Sequence, residues 1–253
     1  MHTLERTHLV KCDQCKNGEA LPFEFTMAFQ PIVDIQERHV VAYEALVRGT
    51  DGAGAWSILS RVTEDNRYRF DQACRTKAIE LAARLGIECR LSINFLPNAV
   101  YEPAACIRAT LAAAERFDFP IERIVFEVTE SEDMVEKGHL TRILADYRDR
   151  GFLTAIDDFG AGYAGLSLLA EFQPAVIKLD MGLLRGIDKD PVRQVLASAV
   201  IDLCRNLQIE LVAEGIETYE EYQWFRSQGV RYMQGYLFAK PQLEALPSIA
   251  WPE

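Results

Sequence analysis

Along the chain, short runs rich in apolar and β-branched residues alternate with longer stretches in which apolar side chains recur every three or four positions. The short runs predict strands over Thr26–Val33, Val40–Val47, Arg90–Phe95, Arg123–Val128, Phe152–Asp157, Ala175–Leu179, Glu210–Ala213 and Tyr232–Leu237. Between most of them the period is helical. Phe70, Cys74, Ala78, Leu81 and Leu85 share one face, and so do Val192, Val195, Leu196, Ala199 and Leu203. Asp190 followed by Pro191 predicts a helix start, an N-cap with proline at the first position. Eight strands alternating with helices read as a (β/α)8 barrel or a doubly wound sheet. One join is too short for either. Only Asp34–His39 separates the first two strands, whereas a parallel crossover takes about a dozen residues or more. That pair is expected to be antiparallel, and a barrel containing it is a modified one.

The polar residues that interrupt these runs fall in a pattern. Glu44 breaks the second strand, Asn94 lies near the end of the third, Glu127 ends the fourth, and Asp157 and Asp158 end the fifth. Lys178 comes late in the sixth, Glu214 closes the seventh, and Gln234 lies in the eighth. Barrel active sites gather at the C-terminal ends of the strands. A lone Asp or Glu at such a place usually caps a helix or faces solvent. Seven successive strands each delivering a carboxylate, amide or ammonium at similar depth is a different matter. Five carboxylates on one mouth would repel one another and call for positive charge. Oxygen-rich ligand sets suit hard cations such as Mg2+ or Mn2+, and adjacent aspartates suit a bridged pair of them. Lys178 adds a fixed positive charge.

Composition narrows the classes further. The chain has 253 residues, 49% hydrophobic and 26% charged, the profile of a soluble globular protein. A formal net charge of −11 argues against binding a DNA or RNA backbone. No apolar run is long enough to span a membrane, and residues 1–15 lack the apolar core of a secretory signal, so a cytoplasmic location is expected. Of the six cysteines, Cys74, Cys89, Cys106 and Cys204 sit in apolar or helical contexts and read as buried thiols. Cys12 and Cys15 form a C-x-x-C in an N-terminal tail over residues 1–22; it is half a zinc site, a redox pair or plain polar tail. Residues 23–253 form one domain on this reading.

Several strings together resemble the EAL-domain family of cyclic di-GMP phosphodiesterases. The naming motif stands as Glu44-Ala45-Leu46-Val47-Arg48. With it come Gln30-Pro31-Ile32-Val33, Ser92-Ile93-Asn94, Phe126-Glu127-Val128-Thr129-Glu130 and Asp157-Asp158-Phe159-Gly160-Ala161-Gly162. Ile177-Lys178-Leu179-Asp180, Val212-Ala213-Glu214-Gly215-Ile216-Glu217 and Gln234-Gly235-Tyr236-Leu237-Phe238-Ala239-Lys240-Pro241 complete the series, in order over about residues 25–245. The aromatic usual after the motif arginine is Gly49 here.

The resemblance implies a modified TIM-type (β/α)8 barrel with one antiparallel strand near the N-terminus, two Mg2+ or Mn2+ ions, and hydrolysis of cyclic di-GMP to linear pGpG. It implies Glu44, Asn94, Glu127 and Asp157 as ligands of the first metal, Asp157 also bridging to the second, and Asp158 as a further ligand. Glu214 and Lys178 look like the pair that activates the water, with Gln234 in support. Gln30, Leu46, Arg48 and Asp180 look like substrate contacts. Glu130 and Glu217 resemble the residues that hold the D-F-G-x-G loop, which in the family couples the site to dimerisation. A homodimer and a regulatory protein partner belong to that expectation. The alternative is a catalytically silent domain that binds cyclic di-GMP or a protein.

Overall fold

The computed structural model describes residues 21–129, 138–162 and 165–253. Cys12, Cys15, Glu130 and most of the expected tail lie outside them. Eight strands close into a barrel: β1 (Thr26–Asp34), β2 (His39–Arg48), β3 (Arg90–Asn94), β4 (Ile124–Thr129), β5 (Leu153–Phe159), β6 (Val176–Leu179), β7 (Glu210–Ala213) and β8 (Tyr232–Met233). From β2 to β8 every neighbouring pair is parallel, while β1 closes the ring antiparallel to both β2 and β8. This is the arrangement required by the short first join. Because β8 is only two residues long, it covers only the Val33–Asp34 end of β1; β9 (Gln242–Leu243) pairs with Ala28 and Phe29 on that strand.

Helices of eight residues or more pack outside the ring: α2 (Arg67–Arg84), α4 (Arg108–Arg116), α5 (His139–Asp149), α8 (Pro191–Leu207) and α9 (Tyr219–Ser227). Shorter turns of helix are α1 (Trp56–Leu59), α3 (Pro103–Cys106), α6 (Gly165–Glu171) and α7 (Met181–Leu184). The α2 face expected from its period is buried at Phe70, Cys74, Ala78 and Leu81. Asp190 caps α8 as expected, accepting from the backbone N–H groups of Val192 and Arg193.

The buried face of α8 is not the expected one. Ala197, Ile201 and Cys204 face the barrel, while Val192 and Val195 are 68% and 69% exposed and Leu196 is also exposed. The sequence of α8 is apolar on two sides, so its period alone cannot tell which side meets the strands. Two strands end more than one residue away from their expected limits. β5 runs on through Asp158 and Phe159 by way of an irregularity in its pairing with β6, where Asp158 adopts φ +53°. β8 stops at Met233, because the chain from Gln234 to Leu237 leaves the ladder and clamps Ile216 instead: the Ile216 N–H donates to the Gln234 carbonyl, and Leu237 N–H to the Ile216 carbonyl. Gly235 lies so close to that backbone that a Cβ would overlap the Ile216 carbonyl.

The barrel interior is layered by the two-residue period of strands. Ile32, Ala42, Val125, Ala155, Val176 and Val212 form an apolar plug in its lower part. Two residues further toward the mouth on each of these strands stand Gln30, Glu44, Glu127, Asp157, Lys178 and Glu214. The intervening residues, such as Phe126 and Ile177, pack outward against the helices.

Candidate active site

Strand geometry thus gathers the polar residues above an apolar floor. The Lys178 ammonium is their hub, fully buried and 2.7 Å from Glu214, 2.8 Å from Glu127, 3.3 Å from Asp157 and 3.4 Å from Glu44. Two amides orient Glu44. The Asn94 side-chain NH2 donates to its Oε1 at 2.9 Å, and Gln234 donates to its Oε2 at 2.8 Å. Asn94 and Glu127 are direct partners across β3 and β4. Gln30 faces Glu44 across β1 and β2, and its amide donates to the Ala239 carbonyl.

The carboxylates form two trios that share Asp157. Glu44, Glu127 and Asp157 bring oxygens within 4.8 Å of one another, and so do Asp157, Asp158 and Glu214. Adjacent residues of a regular strand point to opposite faces; the left-handed turn at Asp158 is what lets both aspartates serve one mouth, and Asp158 N–H donates to Asp157 Oδ1. A donor set of hard oxygens, arranged as two groups with a common member, fits a pair of divalent cations.

Electrostatics agree with that fit. Burial first, then Glu44 and Asp157, push Glu127 up to about 8 against the pull of Lys178. Burial likewise raises Glu214 well above the usual carboxylate range, with Asp157, Glu44 and Glu127 adding to it. Burial and Asp157 raise Asp158 to about 6. For Lys178, burial favours the neutral amine, but the four carboxylates outweigh it and hold the ammonium. A cluster whose acids resist ionisation is short of positive charge.

Beside the cluster opens a cavity of about 210 Å3, lined by Gln30, Glu44, Asp158, Glu214, Glu217, Gln234 and also Met181 and Tyr236. Leu46 and Arg48 do not line it. They border a second, largely apolar pocket of about 280 Å3 with Leu59, Phe70, Asp71, Asn94 and Leu96, and the Arg48 guanidinium donates to the Val47 carbonyl. Gly49, which replaces the usual aromatic, begins a tight turn closed by Gly49 N–H to Ala53 O, and a Cβ there would collide with the Asp51 carboxylate. The Asp180 carboxylate caps α7 by accepting from Gly182 N–H. Glu217 pairs with Arg185 at 2.9 Å at the cavity rim.

Met181 and Tyr236, exposed apolar side chains at the cavity, are not marked as site residues by the sequence, because neither places a polar group at the end of an apolar strand. Asp71 and Arg75, an i,i+4 pair on α2, are entirely buried behind the site; their spacing was the available signal.

This arrangement defines a barrel protein with a carboxylate-rich metal-type centre. The EAL domain profile matches residues 19–241, and the chain belongs to that family. It is 34% identical over 242 residues to the blue light- and temperature-regulated antirepressor BluF of Escherichia coli K12, covering 95% of this chain and 60% of BluF. It is 30% identical over 228 residues to the cyclic di-GMP phosphodiesterase PA2567 of Pseudomonas aeruginosa PAO1, covering 87% of this chain and 38% of that protein. The chain therefore spans 60% or less of the length of these two curated relatives. Among solved structures, the cyclic di-GMP-bound form of a standalone versatile EAL protein from Vibrio cholerae O395 superposes with a TM-score of 0.89 at 55% identity, covering 91% of this chain and 98% of that one. No helix among the described residues is long and apolar enough to cross a membrane.

Proposed function

We propose that this chain is a metal-dependent phosphodiesterase that hydrolyses one phosphodiester of cyclic di-GMP to give linear pGpG. The observation that carries the reading is the double trio of carboxylates sharing Asp157 around buried Lys178. Glu44, Asn94, Glu127 and Asp157 would hold one Mg2+ or Mn2+ ion, and Asp157 and Asp158 a second. Bound there, such cations supply Lewis acidity and a water of lowered pKa.

The protein's own groups do the rest. Asn94 and Gln234 fix both oxygens of Glu44, so that carboxylate meets its ligand in one orientation. In the Glu214–Lys178 pair, 2.7 Å apart, the Glu214 carboxylate takes the proton of the attacking water while Lys178 stays an ammonium; the water oxygen joins phosphorus as the bond to the 3′ oxygen breaks, and that proton passes to the leaving 3′ oxygen. Gln30 from the cavity, and Leu46 and Arg48 from the neighbouring pocket, contact the dinucleotide, Arg48 on a phosphate oxygen. Asp180 shapes the cavity edge through the α7 cap, and by the family resemblance Glu217, together with Glu130 outside the described residues, would hold the D-F-G-x-G loop in a homodimer.

The second reading is a protein-interaction role, favoured by the similarity to BluF, which is named an antirepressor. Anion-exchange chromatography of cyclic di-GMP incubated with purified protein separates the two. Formation of pGpG with Mg2+ or Mn2+, abolished by EDTA, supports the enzyme. Intact substrate at every metal concentration rejects it and leaves the interaction role.

A further inference from the structure

Helix α2 carries two ionisable side chains on the face turned toward the barrel. Asp71 is 2% exposed and Arg75 not at all, and their charged groups lie 2.8 Å apart. Burying an ion pair is rarely a gain in stability over apolar residues of the same size. What the pair touches is more informative. The Arg75 guanidinium lies 5.3 Å from the ring centre of Phe95, 4.9 Å from that of Phe126 and 5.6 Å from that of Tyr147, and donates to the Tyr147 hydroxyl at 2.8 Å. Among the described residues its Nε has no acceptor, and the three rings lie around it. Asp71 Oδ1 accepts the backbone N–H of Leu96 at 2.9 Å.

Phe95 directly follows Asn94, and Phe126 directly precedes Glu127. Strand alternation turns Asn94 and Glu127 into the mouth and the two rings outward. Asn94 and Glu127 are register partners, and Phe95 N–H donates to the Glu127 carbonyl at 3.1 Å. The guanidinium therefore grips the outer side of the two strand ends whose inner side carries two of the metal-type donors. Asp71 ties down the backbone two residues past Asn94.

We propose that Asp71 and Arg75 are positioning residues for metal binding: they clamp the ends of β3 and β4 from outside the barrel and so fix where Asn94 and Glu127 stand. The inference rests on the metal-dependent reading of the site. Groups bonded directly to metal ligands typically contribute about 10- to 100-fold in metal affinity; a clamp acting through the neighbouring residues is expected at the lower end of that range.

The test is direct binding of Mn2+ alone to the full chain, with free Mn2+ counted by electron paramagnetic resonance. The Asp71→Leu, Arg75→Met double variant removes both charges together and avoids leaving either one buried and unpaired. Its Mn2+ dissociation constant is expected to rise by about 10-fold or more, while its turnover of cyclic di-GMP recovers toward the parent value at saturating Mn2+. Tyr147→Phe, which leaves the ion pair and the Leu96 anchor in place, is expected to bind Mn2+ nearly as the parent does. A folded double variant with the parent's Mn2+ affinity overturns the inference. Should the double variant not fold, Arg75→Lys, which keeps the charge and loses the planar contact with the rings, decides by the same measurement. If the parent itself binds no Mn2+, the metal-dependent reading falls and this inference with it, an outcome distinct from equal binding by parent and variant.

Discussion

Replacing Lys178 by Met keeps most of the side-chain volume and removes the charge that four carboxylates surround. At an effective dielectric of about 20, an ionised pair about 3 Å apart attracts by roughly 5 kcal/mol. Lys178 makes four such contacts, between 2.7 and 3.4 Å. Most of that attraction is offset by the several kcal/mol it costs to bury each ion, and removing one partner from a buried ionic group typically leaves a net loss of about 3–5 kcal/mol. For a chain of this length the loss corresponds to roughly 6–20 °C in Tm. The assay is thermal unfolding followed by circular dichroism in EDTA, at pH 5 and pH 8. At pH 5 Glu127, which burial raises to about 8, is already protonated in the folded chain, and burial moves Glu214 in the same direction. Fewer charges are then stranded, and the cost of Lys178→Met is expected to shrink. Equal destabilisation at both pH values, or none at pH 8, refutes the account of Lys178 as counter-charge to the cluster.

The parent protein without metal should lose stability as pH rises. Glu127 titrates near 8 in the folded chain and near 4.5 when unfolded, so its contribution is whole below about pH 4.5 and is lost as pH passes through 8; Asp158, raised to about 6, acts in the same direction. A Tm in EDTA that is flat or rising between pH 5 and 8.5, or a slope that Mn2+ does not reduce, contradicts this. Glu44→Ala removes a member of the first trio and the acceptor of both Asn94 and Gln234; turnover should fall by more than the roughly 100-fold that loss of a group behind a metal ligand costs, with an unchanged far-UV spectrum. Undiminished hydrolysis takes Glu44 out of the site. Gly235→Ala forces a methyl group against the Ile216 carbonyl and should cost about 1–3 kcal/mol, read as a lower Tm; an unchanged Tm shows that the segment yields freely.

Much of the barrel was legible because strands write their two-residue period plainly. With Glu44 on β2 and Glu127, Asp157, Lys178 and Glu214 at the ends of β4 to β7, the period itself places them two residues above an apolar floor. The short Asp34–His39 join likewise fixed an antiparallel first pair, since no parallel crossover is that short. The choice of face on α8 was not legible, because both of its sides are apolar and only the packing of Ala197, Ile201 and Cys204 on the barrel selects one. The extra reach of β5 depends on the left-handed backbone at Asp158, a conformation the sequence permits without announcing. The Asp71–Arg75 clamp was hidden for a related reason: an i,i+4 charged pair normally lies on a solvated face. Here the closure of α2 over Phe95 and Phe126 buries it. Local period and spacing thus determined the elements and the chemistry they carry. Which side of each element meets the barrel, and which charges are cut off from water, were decided only by tertiary packing, because burial belongs to the assembled surfaces and not to any one segment.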